Sequence, residues 1–245
     1  MSESLRTQPS SEELQELSRG LECQTPQDVL AYALEQYFPS IVLACSFGPE
    51  DVVLWDMMYQ INPKASLFYL DTDFLFKETH DVRDRMIAKY LLAPNQLIEM
   101  KPEFTPEQQA EKFGDRLWLQ QPDQCCKMRK IEPLTCVLKN YTAWVTGIRR
   151  DQAPTRANAG LVEWDGKFEL VKFNPLAAWT SEDVWAYIRA HDVPYNVLHE
   201  QGYPTVGCTH CTKAVPGSTL GDYSRAGRWS TSEKTECGLH GGEGI

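Results

Sequence analysis

Residues 41–59 read IVLACSFGPEDVVLWDMMY. Ile41 to Cys45 form a short, unbroken apolar run, the mark of a strand buried on both faces. Ser46-Phe47-Gly48-Pro49 breaks that run, and Glu50 to Tyr59 then reads as a helix. A buried strand followed at once by a turn and a helix is the first half of a βαβ unit. The pattern recurs downstream. Leu67 to Leu70 is a second apolar strand, ended by Asp71-Thr72-Asp73, and a helix is predicted from about Lys77 to Leu91. Gln96 to Met100 is a third strand. A helical stretch surrounds Cys125 to Lys139, with Pro133 expected to kink or split it. Ala143 to Thr146 is the fourth strand. Asp165-Gly166 lies between Val162-Trp164 and Phe168-Phe173, which signals a hairpin. Strands alternating with helices predict an α/β fold: a Rossmann-like parallel sheet with helices on both faces.

The flanks complete the organisation. Residues 1–24 read as a polar, partly disordered N-terminal extension. Within it, Ser10 and Glu13 form a capping box for a short helix. Thr25 and Pro26 open the next helix, and Thr180 caps a last one, SEDVWAYIRAH. The α/β unit is expected over 25–195. From 196 to 245 the chain is rich in Gly, Pro, Thr and Cys without periodicity, so an irregular C-terminal segment is expected.

Composition narrows the function. The chain of 245 residues carries a formal net charge of −10, which disfavours general binding to nucleic acid or to anionic membranes. No apolar run is long enough to span a bilayer, and the N-terminus lacks a signal or transit pattern, so a cytoplasmic protein is expected. Eight cysteines are then too many to be explained by disulfides. Cys125 and Cys126 are adjacent, and Cys208 and Cys211 form a C-x-x-C pair. Together they supply the four thiolates of a zinc site or a [4Fe–4S] cluster. Adjacent cysteines fit zinc spacing poorly, which favours iron–sulfur; a thioredoxin-like dithiol at 208–211 lacks the strand-to-helix context. Cys23, Cys45 and Cys136 sit among apolar neighbours and read as small core residues.

Ligands of open α/β sheets bind beyond the carboxyl ends of the strands. The loops at 46–51, 71–74 and 147–152 are therefore the candidate site. Ser46 and Gly48 offer a hydroxyl and backbone N–H groups at a helix start, suited to phosphate or sulfate. Glu50 and Asp51 are expected to favour the helix dipole while pointing away from a ligand. Arg149 and Arg150 have the planar forks that grip such oxyanions. Lys130 lies four residues after Cys126, on the same helical face, while Lys127 reads as solvated. Cys237 lies on a Gly-rich tail with His240 nearby and Arg225, Arg228 and Lys234 upstream, surroundings that favour a reactive thiolate. His80, His191, His199 and His210 show no partner pattern, although His210 stands inside the C-x-x-C as a competing ligand.

These residues carry a resemblance. Cys-Ser-Phe-Gly at 45–48, Leu-Asp-Thr at 70–72, Glu-Thr at 78–79, Cys-Cys-x-x-Arg-Lys at 125–130 and Gly-x-Arg-Arg at 147–150 are followed by four further matches. These are Asn-Pro-Leu at 174–176, Gly-Cys-x-x-Cys at 207–211, Arg-x-Gly-Arg-Trp at 225–229 and Glu-Cys-Gly-Leu-His at 236–240, the last three together with the Cys-Cys pair being the most specific. The chain resembles the assimilatory, thioredoxin-dependent adenylyl-sulfate reductases. The resemblance implies an adenine-nucleotide α-hydrolase-like fold and a [4Fe–4S] cluster on Cys125, Cys126, Cys208 and Cys211. It implies that Cys237 attacks the sulfur of adenylyl sulfate, releasing AMP, and that thioredoxin or a glutaredoxin-like dithiol frees sulfite from the resulting S-sulfocysteine. Lys130, Arg225, Arg228 and His240 are then catalytic candidates; Ser46, Gly48, Leu70, Asp71, Thr72, Arg149 and Arg150 are substrate-binding candidates. The loop lacks the Ser-Gly-Gly-x-Asp-Ser pattern of ATP-splitting relatives, and Asp73 stands where many members have Gly. The alternatives are a reductase of 3′-phosphoadenylyl sulfate, a dual-substrate enzyme, or a non-catalytic metal-binding sensor. A homo-oligomer is compatible with the sequence.

Overall fold

The computed structural model describes residues 9–222, 226–229, 234 and 238–239. Six strands form one sheet: β1 (Ile41–Ala44), β2 (Ser66–Leu70), β3 (Leu97–Met100), β4 (Ala143–Val145), β5 (Val162–Asp165) and β6 (Leu170–Phe173). Their order is β3-β2-β1-β4-β6-β5. Every pairing is parallel except β5 with β6, the hairpin read at Asp165-Gly166. Leu43 sits at the centre, in register with Leu67 on one side and Val145 on the other.

Helices cover both faces, as the sequence predicts. Ile41, Leu43, Leu67, Val145 and Phe173 point into the larger core layer. That layer is closed by α1 (Ser11–Leu21), α2 (Pro26–Tyr37), α3 (Pro49–Ile61), α4 (Lys77–Tyr90) and α9 (Ser181–Ala190). The alternate residues Val42, Phe68 and Trp144 face the other way, against Leu134, Val137 and Leu138 of α8 (Glu132–Leu138). Period-two alternation with both sets buried explains why these strands read as continuous apolar runs. Capping boxes at Ser10/Glu13, Thr25/Asp28 and Thr180/Asp183 start α1, α2 and α9 at the positions their sequences mark. Asp56 ties the larger layer together. Its buried carboxylate accepts hydrogen bonds from Tyr90 Oη of α4 at 2.5 Å, Tyr187 Oη of α9 at 2.6 Å and Gln60 Nε2 at 2.7 Å.

The region between β3 and β4 departs most from expectation. A helix unmarked in the sequence reading, α5 (Pro106–Phe113), starts at a Thr105/Gln108 capping box. The short helices α6 (Leu117–Gln120) and α7 (Pro122–Cys126) come next. The stretch around Cys125 to Lys139 stays helical, with Pro133 inside α8, and the irregularity falls one turn earlier. Residues Lys127–Ile131 form a single π-helical turn in which Glu132 N–H reaches back five residues to Lys127 O. Pro133 has no N–H to offer Arg129 O, so the ladder widens ahead of it rather than breaking.

Two of the cysteines read as core residues are exposed: Cys23 follows α1 in a connection, and Cys136 lies on the outer side of α8. Cys45 is buried. After α9 the described chain holds only 3₁₀ turns and isolated bridges, Leu75 with Cys208 and Thr212 with Arg228. Residues 1–8, within the segment read as disordered, lie outside the described residues. Among those described, no helix is long and apolar enough to cross a membrane.

Helix α1 packs against β5 and buries Leu14 at 4% exposure. Leu14→Ala therefore removes a filled core position, and we expect a loss of about 2–4 kcal/mol of stability, read as a lowered urea midpoint with unchanged slope.

Candidate active site

A cleft of about 240 Å³ opens at the carboxyl ends of β1, β2 and β4. This is where the strand order reverses, between β1 and β4, the expected position for a ligand in such a sheet. The turn after β1 is tightly drawn. Phe47 adopts φ 61°, a left-handed conformation costly for a bulky residue, and its ring is held at 3% exposure against Trp55 and Tyr69. Gly48 then begins α3. On the far wall Gly147 has no room for a side chain: a Cβ there would lie 2.5 Å from Asp51 Oδ1 and 2.8 Å from Glu50 Cβ. That glycine lets the loop after β4 close onto the start of α3.

The acidic pair at that start faces the cleft, contrary to the expectation that it turns away. Glu50 and Asp51 both line it. Their charges are engaged: Arg149 Nε donates to Glu50 Oε1 at 2.9 Å, and Asp51 Oδ2 accepts from Ser46 N and Ser46 Oγ, each at 2.6 Å. Both Ser46 donors are thus directed at a carboxylate in this arrangement. Burial pushes the Asp51 carboxyl up to about 6, against the lowering effect of the Ser46 bonds.

Of the residues singled out in the sequence, Ser46, Gly48, Leu70, Thr72, Lys130, Arg149 and Arg228 line this one cleft. Arg149 is 1% exposed and also pairs with Asp151. Arg150 does not line it: its guanidinium binds Glu22, while its Nε donates to Ala159 O at 2.9 Å. Asp71 is also outside the lining and shapes the turn, its Oδ1 accepting from Asp73 N at 3.0 Å. Cys237, His240 and Arg225 lie outside the described residues. Two further wall residues, Trp185 and His199, carry no signal in the sequence. His199 Nδ1 lies 2.9 Å from Tyr203 O, and its Nε2 is buried without a hydrogen-bond partner among the described residues. Burial lowers its pKa, which favours the neutral ring.

A second, narrower pocket adjoins the cleft. Cys125, Cys126, Cys208 and Cys211 line it together with Phe74, Trp118 and Trp229. None of the four forms a disulfide with another described cysteine. Burial, and then their mutual proximity, pushes Cys125 up to about 12 and Cys211 up to about 11. Among the described residues, no three His, Cys, Asp or Glu side chains are close enough to hold one metal ion. Thr72 Oγ1 lies 3.4 Å from Cys208 Sγ. His210 stacks on Trp118 with ring centroids 3.8 Å apart, so it forms part of the wall. Lys130, carried by the π turn, lines both this pocket and the cleft, while Lys127 is exposed as expected.

Asp73 illustrates the local logic. It adopts φ 56°, the region that favours glycine. Its carboxylate lies 3.1 Å from Arg129 Nη1, a charged partner that glycine does not offer. At the opposite rim, Gly207 plays a part like that of Gly147. A Cβ there would lie 2.5 Å from an Arg228 guanidinium nitrogen, so glycine seats that cation. Arg228 Nε is buried with no hydrogen-bond partner among the described residues.

The chain is similar to known proteins. The family model described as the phosphoadenosine phosphosulfate reductase domain matches residues 40–214. An adenosine 5′-phosphosulfate reductase of Halalkalibacterium halodurans is 47% identical over 93% of this chain and 96% of its own. One of Staphylococcus haemolyticus is 50% identical over 87% of this chain and 86% of its own. The crystal structure of a phosphoadenylyl-sulfate reductase from Candida auris superposes with a TM-score of 0.75 at 30% identity, covering 85% of this chain and 99% of that one. An FMN adenylyltransferase of Candida glabrata, at 17% identity and a TM-score of 0.57, covers 86% of this chain and 68% of its own and shares the fold alone.

Asp51 gives the cleft a pH signature. Its folded pKa of about 6 exceeds the ordinary 3.8, so between these values the folded state holds a proton that the unfolded state has released. Its contribution to stability is therefore present below pH 3.8 and is lost as pH rises through about 6. We expect Asp51→Asn to remove that decline, measured by denaturant unfolding across the interval; an unchanged slope contradicts the assignment.

Proposed function

The chain belongs to the phosphoadenosine phosphosulfate reductase family, and we propose on that footing that it is an adenylyl-sulfate reductase of assimilatory sulfate reduction. The observation that carries the reading is Lys130, a cation lining both the sheet-edge cleft and the four-thiol pocket. The nucleotide lies in the cleft, beside Gly48, Leu70, Thr72 and Arg149. Its phosphosulfate points toward Lys130 and Arg228.

The reaction is a thiolate displacement at sulfur. Cys237 Sγ attacks the sulfate sulfur, the S–O bond to the phosphate breaks, and AMP leaves with the bonding pair. The product is an S-sulfocysteine. A dithiol protein such as thioredoxin then supplies two electrons: one of its thiols attacks Cys237 Sγ and sulfite leaves, and its second thiol attacks the first across the resulting mixed disulfide, closing the dithiol to a disulfide and releasing the Cys237 thiol. Both substrate and nucleophile are anionic, so the attack needs fixed cations. Lys130 and Arg228 offset the charge developing on the leaving phosphate, as does Arg225. His240 assists the thiol in losing its proton.

Cys125, Cys126, Cys208 and Cys211 fit a [4Fe–4S] cluster. Three of them are buried and Cys211 is half-buried, and each of Cys125 and Cys211 feels others of the four closely enough to raise its pKa, so one pocket gathers the four sulfurs that such a cluster takes. A single zinc ion needs all four sulfurs within about 2.3 Å of one point, whereas a cubane presents a separate iron to each. When bound, the cluster supplies an ordered charge distribution at the substrate's anionic end, and electrons come from the dithiol.

The relatives named adenosine 5′-phosphosulfate reductase support adenylyl sulfate, and not its 3′-phosphorylated form, as the substrate.

Anaerobic purification followed by a sulfite-release assay with thioredoxin tests the reading. Brown protein, turnover of adenylyl sulfate well above that of the 3′-phosphorylated nucleotide, and no turnover in Cys237→Ser are expected. Lys130→Ala is expected to lower kcat by about 10²–10³. A colourless active enzyme overturns the cluster, and an active Cys237→Ser overturns the mechanism.

A further inference from the structure

The chain is tethered on both sides of Cys237. Three residues before it, Lys234 forms an ion pair with Asp123, in the first turn of α7 and two residues ahead of Cys125. The residue after it, Gly238, adopts φ 79° and accepts a hydrogen bond at its carbonyl from Lys167 Nζ at 2.7 Å. Leu239 then packs into the apolar layer of Leu134, Trp144, Phe168 and Leu170. Lys167 and Phe168 belong to the turn between β5 and β6, and Lys167 Nζ also lies 5.3 Å from the Phe168 ring centre. Leu239 lines the cleft, whereas Lys167 does not.

One tether stands at the cysteine-bearing helix, and at the other Leu239 reaches the cleft. Lys234 and Gly238 are four residues apart, so the chain between them spans at most roughly 14 Å. A tail free beyond Trp229 would spread its thiol over a large volume. Pinning it at both sides raises the local concentration of that thiol at the cleft.

We propose that the β5–β6 hairpin is the seat of the reactive tail, with Lys167 and Leu239 as positioning residues for the Cys237 thiol. This rests on the reading of Cys237 as the nucleophile. Lys167 is exposed and touches the tail at a backbone carbonyl, so its removal leaves the core and the nucleotide cleft intact. The contact needs a cationic donor of full length, and arginine satisfies it.

The test uses the cluster-loaded, full-length protein. Lys167→Met is expected to lower kcat roughly five- to tenfold with KM and the AMP dissociation constant unchanged. Lys167→Arg is expected to restore the rate. Leu239→Ala is expected to lower kcat by a similar or larger factor. Mass-spectrometric rates of iodoacetamide labelling at Cys237 are expected to rise several-fold in Lys167→Met and Leu239→Ala, while labelling of Cys136 stays constant. Unchanged kcat and unchanged Cys237 labelling in both variants overturn the proposal. So does a rise in AMP dissociation constant as the sole effect, which would make Leu239 part of the nucleotide wall and nothing more. The labelling readout does not depend on turnover. If Cys237→Ser stays active the nucleophile assignment fails, and the seat is still judged by labelling.

Discussion

One buried guanidinium joins the two halves of the site. Arg129 is 1% exposed. Its Nε donates to Gln109 Oε1 at 2.8 Å, and its Nη1 donates to Thr72 O at 2.8 Å and lies 3.1 Å from Asp73 Oδ2. Its planar group also lies 4.3 Å from the Phe74 ring centre. Burying a charge is costly unless it is paired and hydrogen-bonded. Here the partners come from α5 and from the turn after β2, while Arg129 itself stands on the π turn. The loop that walls the cleft is thereby fixed to the segment bearing Cys125, Cys126 and Lys130. Thr72 carries this linkage further, its carbonyl on Arg129 and its hydroxyl beside Cys208. Lysine at 129 would lack the fork that serves three acceptors at once.

The electrostatics derive from this frame. The carboxylates at and beside the cleft are directed at the chain's own donors. Glu50 occupies Arg149, Asp51 occupies Ser46, and Asp73 occupies Arg129. Lys130 stands at the junction of cleft and thiol pocket, and Arg228 lines the cleft. The net charge describes the surface; on the cleft wall Glu50 and Arg149 neutralise one another.

The sheet was legible because its strands are buried on both faces and its turns carry Gly, Pro and Asp, signals that depend on near neighbours alone. The cap residues Ser10, Thr25 and Thr180 were legible for the same reason. Thr105-Pro106 with Gln108 carries an equal signal for α5, which went unread because no strong apolar period comes after it. The features that sequence could not reveal depend on distant partners. Arg149 and Arg150 are indistinguishable as neighbours in the chain, yet one is drawn in by Glu50 and the other outward by Glu22. Cys136 and Val137 are adjacent on α8, and only packing decides which is buried. Gly147 and Gly207 look like ordinary turn residues until the close approach of Asp51 and of Arg228 gives each its reason.

The π turn at Lys127–Ile131 has a consequence for how this segment changes over time. It amounts to one residue inserted into an otherwise α-helical run. Each residue advances a helix by about 100°, so the insertion resets the phase between the residues before it and those after it. Cys125 and Cys126 thereby face the thiol pocket while Leu134, Val137 and Leu138 face the sheet. Removing one residue would restore a regular helix and force a choice, with either the thiols or the leucines rotated out of place. The segment can therefore drift in sequence far more freely than in length.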